Sequence, residues 1–141
     1  MKNVLFLCTQ NSARSIIAEA ISNFKYNSYL KAYSAGSSPS GIINPLTLQT
    51  LEKMRIPTDK LYSKSWDKFN ENQTLSMDYV VTVCGNAAKE TCPVWIGSPK
   101  KIHFNIEDPV NKNLSSHKHE QLFIETFHNI DQLIKDNLIN E

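Results

Sequence analysis

The chain has 141 residues, a length typical of one domain with a buried core, so we expect a single domain over residues 1–141. Its 15 basic and 14 acidic residues give a net charge of +1, which argues against a general nucleic-acid coat or a membrane-surface protein. Apolar residues make up 40% of the sequence, but no apolar stretch approaches the roughly 20 residues of a membrane span. We therefore expect a folded domain with neither nucleic acid nor a membrane as its partner.

The apolar run Val4–Cys8 near the N-terminus has two possible interpretations, a signal peptide or a strand. A signal peptide needs roughly 7–15 apolar residues, whereas polar residues follow Cys8 at once. We therefore expect a buried strand and a cytoplasmic protein.

The chain has three cysteines, Cys8, Cys84 and Cys92, and this odd number argues against a secreted disulfide framework. They remain candidates for core thiols, metal ligands or reactive thiols.

Strand and helix signals alternate through the first half of the chain. From Ser12, which we expect to be the N-cap, apolar residues recur at helical spacing and predict the first helix. A second strand is predicted over 30–35. Asn44 and the proline after it have the residue types of a cap and a first helical position, and they open a second helix that runs to about Met54.

The alternation continues through the second half. Residues 77–84 contain the strongest β-branched run and predict a third strand, residues 87–91 a short helix or turn, and residues 101–106 a fourth strand. From Ser116 onward, apolar residues on one face predict a long terminal helix. This pattern predicts an α/β fold, a three-layer sandwich with a four-stranded parallel sheet.

The segment from Cys8 to Ser15 has the composition of a loop that binds a tetrahedral oxyanion. It joins the first strand to the first helix, where backbone N–H groups and the helix N-terminus attract an anion. Arg14 supplies a forked, permanently charged donor for two oxygens. The same field stabilises a thiolate, which makes Cys8 a nucleophile near neutral pH, and Ser15 can donate a hydrogen bond to it. The expected oxyanion-binding residues are Thr9, Gln10, Asn11, Ser12, Ala13, Arg14 and Ser15. The alternative is a core cysteine followed by a solvated arginine.

These residues resemble the N-terminal loop of the low-molecular-weight protein tyrosine phosphatase superfamily. Further matches in the same order extend the resemblance over nearly the whole chain: Ser34-Ala35-Gly36, Asn44-Pro45, Val80-Val81-Thr82-Val83-Cys84 and Glu107-Asp108-Pro109. The superfamily has two branches, the phosphatases and the thioredoxin-coupled arsenate reductases, and the resemblance implies one of these activities.

Asp108 is the candidate general acid. Attack of a thiolate on phosphate or arsenate expels an oxygen, and a nearby carboxylic acid can protonate it. Pro109 restricts the backbone around Asp108. The alternatives are an ordinary Asp-Pro turn, or Glu107 as the acid, which we favour less.

The two later cysteines favour the reductase branch. Cys84 can attack the adduct of Cys8 with arsenic and release arsenite, and Cys92 can then attack Cys84 and move the disulfide outward. Two buried apolar cysteines and a zinc site are the alternatives, but no histidine is close enough in sequence for usual zinc spacing. Phosphatases of this fold have two tyrosines after the Asp-Pro pair, whereas Val110 and Asn111 stand here.

Two departures from the family pattern are notable. Gln10 replaces a usual glycine, so we expect either a strained backbone at Gln10 or a tilted anion pocket. The spacing between Cys84 and Cys92 is one residue longer than in the best-known members, which bears on the recycling partner.

The sequence therefore predicts a monomeric arsenate reductase for arsenic detoxification, without cofactor or metal, in which Cys8, Arg14, Asp108, Cys84 and Cys92 are catalytic. Phosphate and sulfate would compete with arsenate, and thioredoxin or another thiol donor would supply electrons. The first alternative is a phosphatase acting on phosphomonoesters. The second is a non-enzymatic oxyanion-binding or redox-sensing module, which would have no use for an acid at Asp108.

Overall fold

The computed structural model describes residues 1–70, 75–83, 99–110 and 113–140. Its elements are β1 Lys2–Cys8, α1 Arg14–Lys25, β2 Leu30–Gly36, α2 Pro45–Lys53, α3 Asp67–Asn70, β3 Tyr79–Thr82, β4 Lys100–His103 and α4 Ser116–Ile134, which continues into a π-helical turn over Lys135–Ile139. The short helix or turn predicted over 87–91 lies outside the described residues. Within the part of the chain that is described, none of the helices combines the length and the apolar character needed to cross a membrane.

The four strands form one parallel sheet in the order β2-β1-β3-β4. Strand β1 lies between two neighbours, so Leu5 is in register with Tyr33 of β2 on one side and Val80 of β3 on the other. This position explains why residues 4–8 read as an uninterrupted apolar run, because both faces of the strand are covered. The predicted four-stranded parallel sheet is confirmed.

Alternate residues of β1 pack into two separate clusters, one on each face of the sheet. Val4 and Phe6 belong to the larger cluster, which also contains the buried apolar residues of α1, α2 and α4. Leu5 and Leu7 belong to the smaller cluster, which includes Phe69 of α3. Helices therefore cover both faces of the sheet, and the predicted three-layer arrangement is confirmed.

Three details of the predicted elements are wrong. The third strand covers Tyr79–Thr82 and is shorter than the predicted 77–84. Ser12 is not the N-cap of α1, because the helix begins at Arg14 and Ala13 occupies the cap position without a side-chain hydrogen bond. The fourth strand ends at His103 rather than at 106. The N–H of Phe104 still donates to the carbonyl of Thr82 at 2.8 Å, and Phe104 and Ile106 remain buried in the larger cluster. An apolar alternation predicts burial equally well whether or not the backbone is paired.

Candidate active site

The loop between β1 and α1 holds the Cys8 sulfur at the carboxyl end of the central strand. The side chain is buried, with 6% of the residue exposed. The backbone N–H of Asn11 donates to Cys8 Sγ at 3.1 Å, and Ser15 Oγ lies 2.9 Å from the same sulfur. Helix α1 begins directly after the loop, so the positive end of its dipole lies next to the sulfur. The N–H of Asn11 and the helix dipole favour a negative charge on Cys8, and the hydroxyl of Ser15 can donate to the thiolate.

Asn11 gives the loop its shape. Its φ of 50° is in the left-handed region, which asparagine tolerates better than other residues with a side chain. The side chain is fully buried and makes three hydrogen bonds: Nδ2 donates to Ser15 Oγ at 2.8 Å and to Ser34 Oγ at 3.0 Å, and Oδ1 accepts from the backbone N–H of Lys64 at 2.9 Å. The backbone strain expected at Gln10 is not found there, because the left-handed residue of the loop is Asn11 and not Gln10, while a tilted anion pocket stays a prediction.

Neighbouring segments hold the carbonyl oxygens of the loop from outside. The N–H groups of Ser38 and Ser40 donate to the carbonyls of Thr9 and Gln10, at 2.9 and 3.1 Å. The carbonyl of Ser12 accepts from the backbone N–H of Asn44 at 3.0 Å and from the hydroxyl of Thr47 at 2.9 Å. With its carbonyls bound outward, a loop can present N–H groups to an enclosed anion.

Gly36, at the end of β2, allows the loop to approach the sheet. A Cβ at this position would lie 2.4 Å from the carbonyl oxygen of Thr9 and 3.1 Å from the amide nitrogen of Asn11. Both neighbours are backbone atoms, so neither can move aside cheaply. Of all residue types, only glycine leaves the room that this contact requires.

Arg14 and Asp108 lie together at the mouth of the loop. Arg14 donates to the carbonyl of Ile106 at 2.8 Å, and its other terminal nitrogen is 3.9 Å from a carboxylate oxygen of Asp108. The remaining oxygen of Asp108 accepts from the N–H of Val110 at 3.0 Å. The Asp108 side chain is 58% exposed and the Arg14 side chain 16%, so the carboxyl faces the solvent side of the guanidinium. This arrangement brings a guanidinium that can hold an oxyanion beside a carboxyl group that can deliver a proton.

Behind the loop, Ser34 connects Asn11 to a buried ion pair between Glu19 and Lys64. The hydroxyl of Ser34 donates to Glu19 Oε1 at 2.5 Å, and the ammonium of Lys64 lies 3.5 Å from the same oxygen. Burial raises the pKa of Glu19 above its ordinary value, although the charge of Lys64 and the hydroxyl of Ser34 both act to lower it. The sequence gives no sign of Lys64, since it lies in an irregular segment and its partners are 45 and 53 residues away.

The structure therefore brings together the whole predicted segment from Cys8 to Ser15, with Asp108 beside Arg14. Cys84 and Cys92 lie outside the described residues. The residue before Cys84 is Val83, whose N–H donates to the carbonyl of Leu7 at 2.9 Å, one residue before Cys8. Among residues 1–70, 75–83, 99–110 and 113–140, no three histidine, cysteine or carboxylate side chains are grouped closely enough to hold a metal ion.

Comparisons with known proteins agree with this geometry. The family model for low molecular weight phosphotyrosine protein phosphatases matches residues 3–140. Arsenate reductase 1 of Staphylococcus epidermidis is 32% identical over 114 residues, which cover 81% of this chain and 83% of that protein. The arsenate reductase of Oceanobacillus iheyensis is 35% identical over 108 residues, which cover 77% of this chain and 74% of that protein.

A solved structure of an arsenate reductase in its phosphate-binding state has the same fold, with a TM-score of 0.78 at 20% identity over 99% of this chain and 98% of that one. The fold, the loop from Cys8 to Ser15 and the matched length all lead to one assignment. The resemblance seen in the sequence is confirmed: this chain belongs to the low molecular weight phosphotyrosine protein phosphatase family.

Proposed function

We propose that this protein is an arsenate reductase. In the first step, the thiolate of Cys8 attacks the arsenic of arsenate while the loop amides and Arg14 hold its oxygens. A sulfur–arsenic bond forms and an arsenic–oxygen bond breaks. The departing group is a hydroxyl of arsenate, which takes one proton from Asp108 and leaves as water.

The reduction itself requires a second thiol. The thiolate of Cys84 attacks the sulfur of Cys8, and the electron pair of the sulfur–arsenic bond remains on arsenic, which leaves as arsenite. A disulfide between Cys8 and Cys84 results. Cys92 then attacks Cys84, which releases the Cys8 thiolate and leaves a disulfide between Cys84 and Cys92. A thiol donor, thioredoxin or a small thiol, reduces this last disulfide.

The observation that carries the reductase over the phosphatase is the position of Cys84 in the chain. Cys84 follows Val83 in the sequence, and the backbone of Val83 contacts Leu7 and Arg14. Its N–H is hydrogen-bonded to Leu7, the residue before Cys8, and its carbonyl oxygen lies 3.5 Å from a donor nitrogen of Arg14. Cys84 follows Val83 directly in the sequence, which supports a part for its thiol in the reduction, whereas ester hydrolysis requires no second thiol. The names of the relatives, arsenate reductases at 32% and 35% identity, give further support.

The proposal includes the setting in which the enzyme works. Arsenate is the substrate, with phosphate and sulfate as competing oxyanions of the same shape. The enzyme acts as a monomer of one domain in the cytoplasm, where reducing conditions keep its thiols available. It uses no organic cofactor and no metal.

A phosphatase is the second candidate, and the description of the matching family favours it. Hydrolysis of a phosphomonoester needs only the groups around the loop, because water can release phosphate from Cys8. Residual hydrolysis beside reduction is therefore expected.

The deciding experiment measures both reactions on the same preparation. Arsenate reduction is followed with thioredoxin, thioredoxin reductase and NADPH, and then with a small thiol as donor, while hydrolysis is followed with p-nitrophenyl phosphate. We expect multiple turnovers of arsenate with at least one donor and slow hydrolysis of the ester. Rapid hydrolysis without any arsenate turnover would support the phosphatase instead.

A further inference from the structure

Lys64 and Glu19 form a buried ion pair behind the oxyanion loop. Each residue is only 9% exposed, and their charged atoms are 3.5 Å apart. The ammonium of Lys64 also donates to the carbonyl of Tyr62 at 2.8 Å and lies 4.3 Å from the centre of the Tyr62 ring. Removing two charges from water offsets much of their mutual attraction, so stability alone is a weak reason for such a pair. Its hydrogen bonds to the active site suggest a different role.

The charge on Glu19 fixes the direction of the first hydrogen bond in the network. A carboxylate accepts hydrogen bonds and donates none. Ser34 has one hydroxyl proton, and it is given to Glu19 at 2.5 Å. The oxygen of Ser34 is then an acceptor for its other neighbour, Nδ2 of Asn11, at 3.0 Å.

Asn11 and Ser15 connect Ser34 to the sulfur of Cys8. The amide of Asn11 donates its second proton to Ser15 Oγ at 2.8 Å, while its oxygen is held by the backbone N–H of Lys64. Ser15 Oγ accepts from Asn11 and keeps its own proton for Cys8 Sγ, 2.9 Å away, since a thiolate can only accept. A donor at this distance favours the thiolate over the thiol.

We propose that Lys64 is a positioning residue for Cys8: its ammonium keeps Glu19 an acceptor, and Glu19 in turn directs the hydrogen bonds of Ser34, Asn11 and Ser15 toward the sulfur. Lys64 does not touch the substrate in this proposal and acts only through this hydrogen-bond network. The inference rests on the proposed function, because it assumes that Cys8 is the nucleophile.

Other charged residues lie near both ends of this hydrogen-bond network, and the test leaves them unchanged. At the sulfur end these are Arg14 and its partner Asp108. At the other end, Lys68 joins Lys64 over the ring of Tyr62, with its nitrogen 4.6 Å from the ring centre, and these residues line a cavity of about 350 Å³ beside Glu19. Lys68 is exposed, which makes it a matched control for a change at Lys64.

The experiment measures how the rate of Cys8 alkylation by iodoacetamide depends on pH. It uses the full chain with Cys84→Ser and Cys92→Ser, so that Cys8 is the only thiol. We expect Lys64→Met to raise the midpoint of the profile by about one pH unit, which means about tenfold slower alkylation at pH values below the midpoint. Lys68→Met removes a lysine from the same ring and should leave the midpoint unchanged. An unchanged midpoint in Lys64→Met would overturn the proposal.

A second comparison tests the route. Ser34→Ala interrupts the hydrogen-bond network between Glu19 and Asn11, so it should raise the midpoint of the alkylation profile by itself. Adding Lys64→Met to this variant should then have little further effect. An equal effect of Lys64→Met with and without Ser34 would refute transmission through the chain. Lys64→Gln, which keeps a polar side chain of similar length, replaces Lys64→Met if circular dichroism indicates that the methionine variant does not fold. Alkylation needs no arsenate, so an enzyme without reductase activity would be recognised separately by the coupled assay.

Discussion

The left-handed backbone and the buried amide at position 11 lead to a quantitative prediction for Asn11→Ala. The change removes three buried hydrogen bonds, to Ser15, to Ser34 and from Lys64, each of which contributes about 1 kcal/mol. Alanine at a φ of 50° adds strain of about 1–2 kcal/mol. We therefore expect the free energy of unfolding to fall by about 4–5 kcal/mol, a large part of the stability of an ordinary domain.

The glycine variant separates the two contributions. Asn11→Gly loses the same hydrogen bonds but accepts a positive φ without strain, although its unfolded chain has more conformational entropy. It should therefore be more stable than Asn11→Ala by about 0.5–1 kcal/mol. Both variants are measured by urea unfolding under reducing conditions, with tryptophan fluorescence as the signal. A loss below about 1 kcal/mol in Asn11→Ala would contradict the role given to the buried amide, and a glycine variant less stable than alanine would contradict the strain.

Two further predictions concern the chemistry of the site. Cys8→Ser should abolish arsenate reduction and ester hydrolysis together, because both begin with its thiolate, and wild-type rates of either reaction in the coupled and p-nitrophenyl phosphate assays would remove Cys8 from the mechanism. Asp108→Asn keeps the shape of the side chain but cannot deliver a proton, so kcat should fall by about 10²–10⁴-fold while phosphate still binds as a competitive inhibitor. An unchanged kcat would leave Asp108 as a turn residue.

Local patterns were sufficient to predict the central part of the fold. Residues 4–8 read as a strand covered on both faces, and the helix after them has one apolar face, so the junction that carries Cys8 follows from periodicity alone. The side chain of Asn44 accepts from the N–H of Leu46, as the cap prediction required, because this hydrogen bond involves only neighbours in sequence.

Features that depend on distant contacts were not predictable in the same way. Ser12 has a capping side chain, but its carbonyl is held by α2, and the helix begins two residues later. Helix α3 is a single turn of four residues, too short to produce a periodic signal. The contact of Lys64 with Glu19 joins residues 45 apart, so neither composition nor spacing indicates it.

The last prediction separates the two branches of the family through Cys92→Ser. If the three-thiol relay operates, this variant still forms the arsenate adduct, Cys84 still attacks it, and one arsenite is released per chain. The variant then stops as a disulfide between Cys8 and Cys84, because no third thiol can move the bond outward. Cys84→Ser is the matched control and should stop earlier, without that disulfide, while both variants keep the wild-type rate of ester hydrolysis. Mass spectrometry of peptides, after arsenate treatment and blocking of remaining thiols, identifies the bond in each variant. Full turnover of Cys92→Ser with thioredoxin would refute the relay and indicate that an external thiol attacks the first disulfide directly.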